Sequence, residues 1–225
     1  MTEDFSALID PHHKEARLRL ADKLAQCGIT DINVLNAIAF VPREYFVHPT
    51  FIFKSYDDIA LPLNSKQTIS RPSTVAFQSQ LLGVSPGEKI LEIGTGSGYQ
   101  ACILKVLGAK VFSVERVPEL YNRLVKLFAD LRLKINLKLG DGTLGWQQYA
   151  PYDGIIVTAA APELPPALTA QLAIGGRLVI PIGDRQKQTM HLIERVSQDK
   201  YTDTPVGNFS FVPLIGKQGW DEDDE

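Results

Sequence analysis

The stretch Ile90-Leu91-Glu92-Ile93-Gly94-Thr95-Gly96-Ser97-Gly98-Tyr99 decides how this chain is read. An apolar run from Lys89 to Ile93 ends in three glycines at alternating positions, and a helix-forming segment from Tyr99 to Leu107 follows. That is a strand, a tight turn and a helix start, the place where open α/β sheets bind nucleotides. Glycine serves there because the turn needs unusual backbone angles and the ligand must approach the main chain closely.

The dinucleotide fingerprint G-x-G-x-x-G is not met, because Tyr99 stands where its third glycine belongs. An acid, Glu92, lies inside the strand end. A carboxylate there is of little use to a pyrophosphate but suits a ligand with a cationic amino-acid end, such as S-adenosylmethionine (AdoMet). The spacing therefore favours an AdoMet loop over a phosphate loop. A plain strand-to-helix turn is the alternative.

Outward from the loop the chain alternates. Strands are expected at 89–93, 110–114, 135–139, 153–158 and 177–181, and helices at 98–107, 117–131 and 163–172. Such alternation implies a parallel sheet with right-handed crossovers. Residues 190–196 and 207–212 are expected to pair as antiparallel strands that finish the sheet. Upstream, 12–26 has helical periodicity with Leu18, Leu20 and Leu24 among charges. Asp31 is placed to cap a second helix that stops near Pro42, and 73–82 reads as a third. The segment 43–72 between them is rich in aromatics and broken by Pro49, Pro62 and Pro72. It is long for a loop, which suggests a substrate wall or a cofactor lid.

Two further acids fall at strand ends. Glu115 follows the second strand, about 20 residues beyond the first loop glycine, where doubly wound folds place a carboxylate on ribose hydroxyls. Asp141 stands between Gly140 and Gly142 after the third strand and can reach an adenine edge. Its alternative is an ordinary Asp-Gly turn.

Composition sets the frame. The 225 residues, 44 % of them hydrophobic, are enough for one sizeable α/β domain. A net charge of −3 leaves no general nucleic-acid footprint. Cys27 and Cys102 fit no metal spacing and suit a reducing compartment. The acidic start, Met1 to Phe5, is unlike a signal peptide, and no run reaches the length of a membrane span. The acidic run Asp221 to Glu225 reads as a solvated tail. His12, His13, His48 and His191 make no metal pair or catalytic triad by spacing. A cytoplasmic protein binding neither metal, nucleic acid nor membrane is expected.

A set of motifs then occurs in order: Gln67-Thr68-Ile69-Ser70-Arg71-Pro72, the glycine loop through Gln100, Gly140-Asp141-Gly142, Thr158-Ala159-Ala160-Ala161-Pro162, the run Gly175 to Gly183, and Phe211-Val212-Pro213-Leu214. The chain resembles the protein-L-isoaspartate O-methyltransferase family from Asp22 to Trp220. The resemblance implies a Rossmann-like AdoMet-dependent methyltransferase fold, mostly parallel, with antiparallel C-terminal strands and an N-terminal helical extension. It implies one domain over 1–225: helices and a covering segment to 72, the core at 73–216 and a tail at 217–225.

Members of that family transfer a methyl group from AdoMet to the free α-carboxylate of L-isoaspartyl residues in damaged proteins and peptides, leaving S-adenosylhomocysteine (AdoHcy). The ester collapses to a succinimide that opens partly to normal aspartate. Carried over, Ser70 is the active-site hydroxyl. The cofactor site implied takes in Gln67, Thr68, Ile69, Ser70, Glu92, Gly94, Thr95, Gly96, Gly98, Glu115, Arg116, Asp141 and Gly142. Arg71, Ser73 and Lys66 depart from common family choices and bear on substrate range. The Ser70 hydroxyl alternatively caps the helix that starts near Pro72. The rival readings are a methyltransferase for a small-molecule carboxylate or hydroxyl, a catalytically silent AdoMet-binding module and, more distantly, a nicotinamide oxidoreductase.

Overall fold

A computed structural model of the chain describes residues 6–8, 11–63 and 67–221. Lys66, the start Met1 to Phe5 and all but the first residue of the acidic run therefore lie outside the described residues. Helices α1 (Lys14–Gln26) and α2 (Ile32–Phe40) open the fold. Asp31 caps α2 as its sequence position suggests, accepting from the amides of Asn33 at 2.8 Å and Val34 at 3.3 Å. The segment expected to be irregular contains two 3₁₀ helices, Arg43–Phe46 and Pro49–Lys54. It also contains a two-stranded antiparallel ribbon, β1 (Leu61–Pro62) with β2 (Thr68–Ile69). Helix α3 (Pro72–Leu82) follows and ends at Gly83, whose φ of 59° is left-handed.

The alternating part comprises β3 (Lys89–Ile93), α4 (Tyr99–Val106), β4 (Lys110–Glu115), α5 (Pro118–Asp130), β5 (Asn136–Leu139), β6 (Tyr152–Val157), α6 (Pro166–Ala170) and β7 (Leu172–Gly183). Two long strands, β8 (Gln188–Ser197) and β9 (Lys200–Phe209), complete it. Sheet order is β5-β4-β3-β6-β7-β8-β9, parallel from β5 to β7 and antiparallel from β7 to β9. The chain leaves β3 for β4 and β5 on one side, then crosses to β6 on the other. The C-terminal end of β3 is therefore the switch point, where a crevice forms. Buried side chains from α1 to α5 pack on one face of the sheet, including Leu24, Ile38, Val75, Ile103 and Leu124. Tyr152, Leu168, Leu178 and Leu214 pack on the other.

Three expectations need correction. The helix expected at 163–172 is only Pro166–Ala170, because Leu172 already pairs with Tyr152 as the start of β7. That strand starts at Leu172 and not at the expected 177, so it runs through Gly175-Gly176. Its pairing with β6 shifts register between Tyr152 and Gly154, and a Cβ on Gly176 would lie 2.9 Å from the Asp153 carbonyl. The glycines thus serve a bulge and a close approach. Finally, the second C-terminal strand is Lys200–Phe209 and not 207–212. Residues 211–214 instead lie across the strand ends, where Ala160 donates to the Val212 carbonyl and receives the Leu214 amide, each at 2.8 Å.

Candidate active site

Two adjoining cavities open over the switch point. Residues 67–70, 94–97, Glu115, Thr158 and Ala159 wall the first, with Val75, Gln78, Tyr99, Gln100 and Val212. The second is walled by Ile93, 114–117, Gly142 and 213–215. Gln67, Gly94, Glu115 and Ala159 border both.

The glycine loop is held from two sides. Thr158 Oγ1 donates to the carbonyls of Gly94 at 2.5 Å and Ile93 at 3.1 Å. A Cβ on Gly94, where φ is 89°, would lie 2.7 Å from that hydroxyl. Gly96, with φ of 54°, has no atom within 3.9 Å of its Cβ position, so its main chain is approachable from the cavity. Its amide donates to Glu115 Oε2 at 2.7 Å, and the Val117 amide donates to Glu115 Oε1 at 2.8 Å. These bonds aim a nearly buried carboxylate along the cavity wall. An ionised carboxylate has about four acceptor sites, so about two remain for a vicinal diol. An approachable stretch of loop main chain, a diol acceptor and two joined cavities fit an adenosyl ligand with an amino-acid end.

Ser70 lies half-buried at the far wall. The capping alternative is not met. Helix α3 starts at Pro72, and its Ser73 amide donates at 2.8 Å to Asp58 Oδ1. Among the described residues the Ser70 hydroxyl makes no hydrogen bond, and its carbonyl receives Arg43 Nη2 at 3.0 Å.

Ten of the sequence-selected residues therefore meet at the cavities: Gln67, Thr68, Ile69, Ser70, Gly94, Thr95, Gly96, Glu115, Arg116 and Gly142. Three do not. Glu92 is fully buried beneath the loop, on the side of the sheet that Ile90 faces by strand alternation. It accepts from Ser113 Oγ at 2.5 Å, and that hydroxyl also meets Thr95 Oγ1 at 2.6 Å. Burial, reinforced by the Glu115 charge, pushes its pKa up to about 8 against the pull of the Ser113 hydrogen bond. Buried there and held by Ser113, the carboxyl props the loop from beneath and lines neither cavity.

Gly98 lies outside the cavity walls as well. A Cβ there would strike Leu124 Cδ2 at 2.7 Å, so this glycine seats α4 against α5. Asp141 also stands behind the cavity walls, next to Gly142. Its carboxylate takes the Thr143 amide at 2.9 Å, the Thr143 hydroxyl at 2.6 Å and the Lys217 amide at 2.9 Å. It closes the turn and ties down the C-terminal segment, leaving Gly142 at the cavity.

Sequence reasoning missed Thr158, Gln78, Gln100 and Val212. Thr158 and Val212 sat in noted motifs, but nothing local marked them as lining. Gln78 is one polar residue on α3, and its Nε2 donates to the Val157 carbonyl at 2.9 Å. Among the described residues no cluster of His, Cys, Asp and Glu could hold a metal ion.

Comparison with known proteins accords with this geometry. The family model of protein-L-isoaspartate(D-aspartate) O-methyltransferase matches residues 15–219. A protein-L-isoaspartate O-methyltransferase of Flavobacterium psychrophilum is 48 % identical over 206 residues, covering 91 % of this chain and 96 % of the relative. One from Flavobacterium johnsoniae is 49 % identical, covering 90 % and 95 %. Among solved structures, a protein-L-isoaspartate O-methyltransferase superposes with a TM-score of 0.81 at 27 % identity, covering 90 % of this chain and 67 % of that one. A Plasmodium falciparum structure described as the same enzyme, in complex with S-adenosyl-L-homocysteine, gives 0.76 at 26 %, covering 88 % and 98 %. With a crevice of matching chemistry and a family match spanning nearly its whole length, the chain belongs to the protein-L-isoaspartate(D-aspartate) O-methyltransferase family.

Proposed function

We propose that Ser70 serves the methyl acceptor in this site and Glu115 the nucleoside of the cofactor. The chain is a protein repair methyltransferase that uses AdoMet to methylate L-isoaspartyl residues of damaged proteins and peptides. When bound, AdoMet supplies an electrophilic sulfonium methyl. The acceptor α-carboxylate has an ordinary pKa of about 3 to 4 and is already ionised at neutral pH. No general base is needed, which suits a cavity whose walls hold no histidine. What the residues must supply is alignment. Ser70 donates to the acceptor carboxylate and holds one oxygen toward the methyl. Gly94, Thr95 and Gly96 present main chain to the amino-acid end of the cofactor. Glu115 accepts from the ribose hydroxyls, while Arg116 and the Gly142 main chain border the base.

The observation that carries this reading is the Ser70 hydroxyl, which has no partner among the described residues yet lines the cavity that Gly96 and Glu115 also line. We read 1–225 as one functional unit, since residues of the covering segment and of the core wall the same cavity. A cytoplasmic setting is supported by Cys27 and Cys102, both free thiols. Among the described residues no helix is long and apolar enough to cross a membrane. The test is methylation of two peptides of identical sequence, one isoaspartyl and one aspartyl. Only the isoaspartyl peptide is expected to gain the methyl group; equal labelling of both would overturn the reading.

A further inference from the structure

Arg43 is the largest fully buried side chain among the described residues, and no sequence motif marked it. It sits in the 3₁₀ helix Arg43–Phe46, outside the cavities. Nη1 donates to the Ser55 carbonyl at 2.7 Å, and Nη2 donates to the carbonyls of Ile59 at 3.3 Å and Ser70 at 3.0 Å. The guanidinium carbon lies 5.6 Å from the centroid of the Tyr99 ring. Among the described residues it makes no ion pair. A buried cation without a carboxylate is a costly arrangement, and packing alone would be served as well by an apolar side chain. What the guanidinium does supply is a rigid planar fork of donors, which an ammonium cannot replace.

All three carbonyls belong to the irregular covering segment, which has few ladder partners of its own. Ser55 and Ile59 fix the fork, and the fork fixes Ser70. On the other side of Ser70, Asp58 takes the Ser73 amide at 2.8 Å and Arg71 Nη2 at 2.7 Å. Ser70 is therefore gripped on its carbonyl by Arg43 and just beyond by Asp58. Its hydroxyl is left without a partner among the described residues, on a backbone held at both of these points.

We propose that Arg43 is a positioning residue for methyl transfer, setting the Ser70 hydroxyl by holding the Ser70 carbonyl. The inference rests on the reading of Ser70 given above. Misplacing an aligning group by about 1 Å can cost about 100-fold in rate. Arg43→Lys keeps the charge but cannot span the three carbonyls.

The test is a double-mutant cycle with Ser70→Ala, following turnover of an isoaspartyl peptide beside AdoHcy affinity. Arg43→Lys is expected to lower kcat roughly tenfold, with peptide KM and AdoHcy affinity within about twofold of the parent. In the Ser70→Ala background it should add less than about twofold, because its effect passes through the missing hydroxyl. An equal loss with and without Ser70 overturns the positioning role and leaves the Ser70 reading intact. Normal turnover in Ser70→Ala alone overturns the Ser70 reading and the Arg43 role with it.

Should Arg43→Lys fail to fold, the α-hydroxy analogue of arginine at position 71 weakens the same bond. It turns the Ser70 carbonyl into an ester carbonyl, a poorer acceptor, and alters no side chain. A kcat reduced about threefold or more with unchanged AdoHcy affinity is expected there. An unchanged kcat overturns the proposal.

Discussion

Ser70 has the side chain of a helix cap and stands two residues before α3, yet Asp58, fifteen residues upstream of Ser73, satisfies the helix amide instead. This division separates stability from rate. Ser70→Ala should slow turnover of an isoaspartyl peptide roughly 10- to 100-fold, about 1.4–2.7 kcal/mol of transition-state stabilisation. Its melting temperature should stay within about 2 °C of the parent, because no cap is lost. Single-turnover methylation beside a melting curve checks both halves, and a normal rate in the folded variant removes Ser70 from the mechanism.

Glu92 gives a second prediction at the same scale. Its pKa near 8 means that the folded protein holds a proton the unfolded chain releases at an ordinary value of 4.5. Its contribution to stability is full below that value and is lost as pH rises toward 8, by an amount on the order of a few kcal/mol. Glu92→Gln should flatten that decline and be relatively more stable at pH 9 than at pH 5. Denaturant midpoints at the two values measure it, and parallel profiles for parent and variant would refute the buried proton. The sequence shows an acid at the strand end but not the side of the sheet it faces, which depends on strand parity.

At the scale of elements, the buried parallel strands were legible because both faces are covered and their sequences are mostly apolar, interrupted only by single residues such as Glu92 and Ser113. β9 starts upstream of the expected 207–212 and is an exposed edge, where the sequence signal is weak. Lys200-Tyr201-Thr202-Asp203-Thr204-Pro205 carries no apolar pattern, and Pro205 argues against a strand except at an edge. The start of α3 was legible from Pro72, but its true cap was not, since Asp58 arrives from across a segment without periodicity. Burial alone would raise the Asp58 pKa. The Arg71 hydrogen bond and the Ser73 amide outweigh it and hold the carboxyl below its ordinary 3.8. Its contribution is therefore present above that value and lost as pH falls through the lower folded pKa. Asp58→Ala should cost about 1 kcal/mol, the usual worth of a cap, and lower the melting temperature by roughly 2–4 °C at neutral pH. The exposed Arg71 pair adds little to that figure. A neutral result at pH 7 would show that another group caps α3.

At the scale of the molecule, the fold class followed from the order of strands and helices, and the candidate site lies where that order reverses at β3. The shape of the covering segment did not follow, because Arg43, Asp58 and Ser70 are brought together by tertiary bonds that leave no local signal. Its place over the cavity has a measurable consequence. Residues 67–70, the glycine loop, Glu115 and the 212–215 strip wall the two adjoining cavities, so a ligand there ties the segment to the core. AdoHcy at 100 times its Kd should add about 2.7 kcal/mol of stability and raise the melting temperature by roughly 5–11 °C. Glu115→Ala should remove much of that shift at the same ligand concentration, since losing a charge-assisted acceptor costs about 1.5–3 kcal/mol of affinity. Amide hydrogen exchange locates the effect: AdoHcy should slow exchange at 67–70 as well as at 94–97. Protection of the loop alone would mean that the covering segment stands clear of the cofactor, and Gln67 and Thr68 would leave the site.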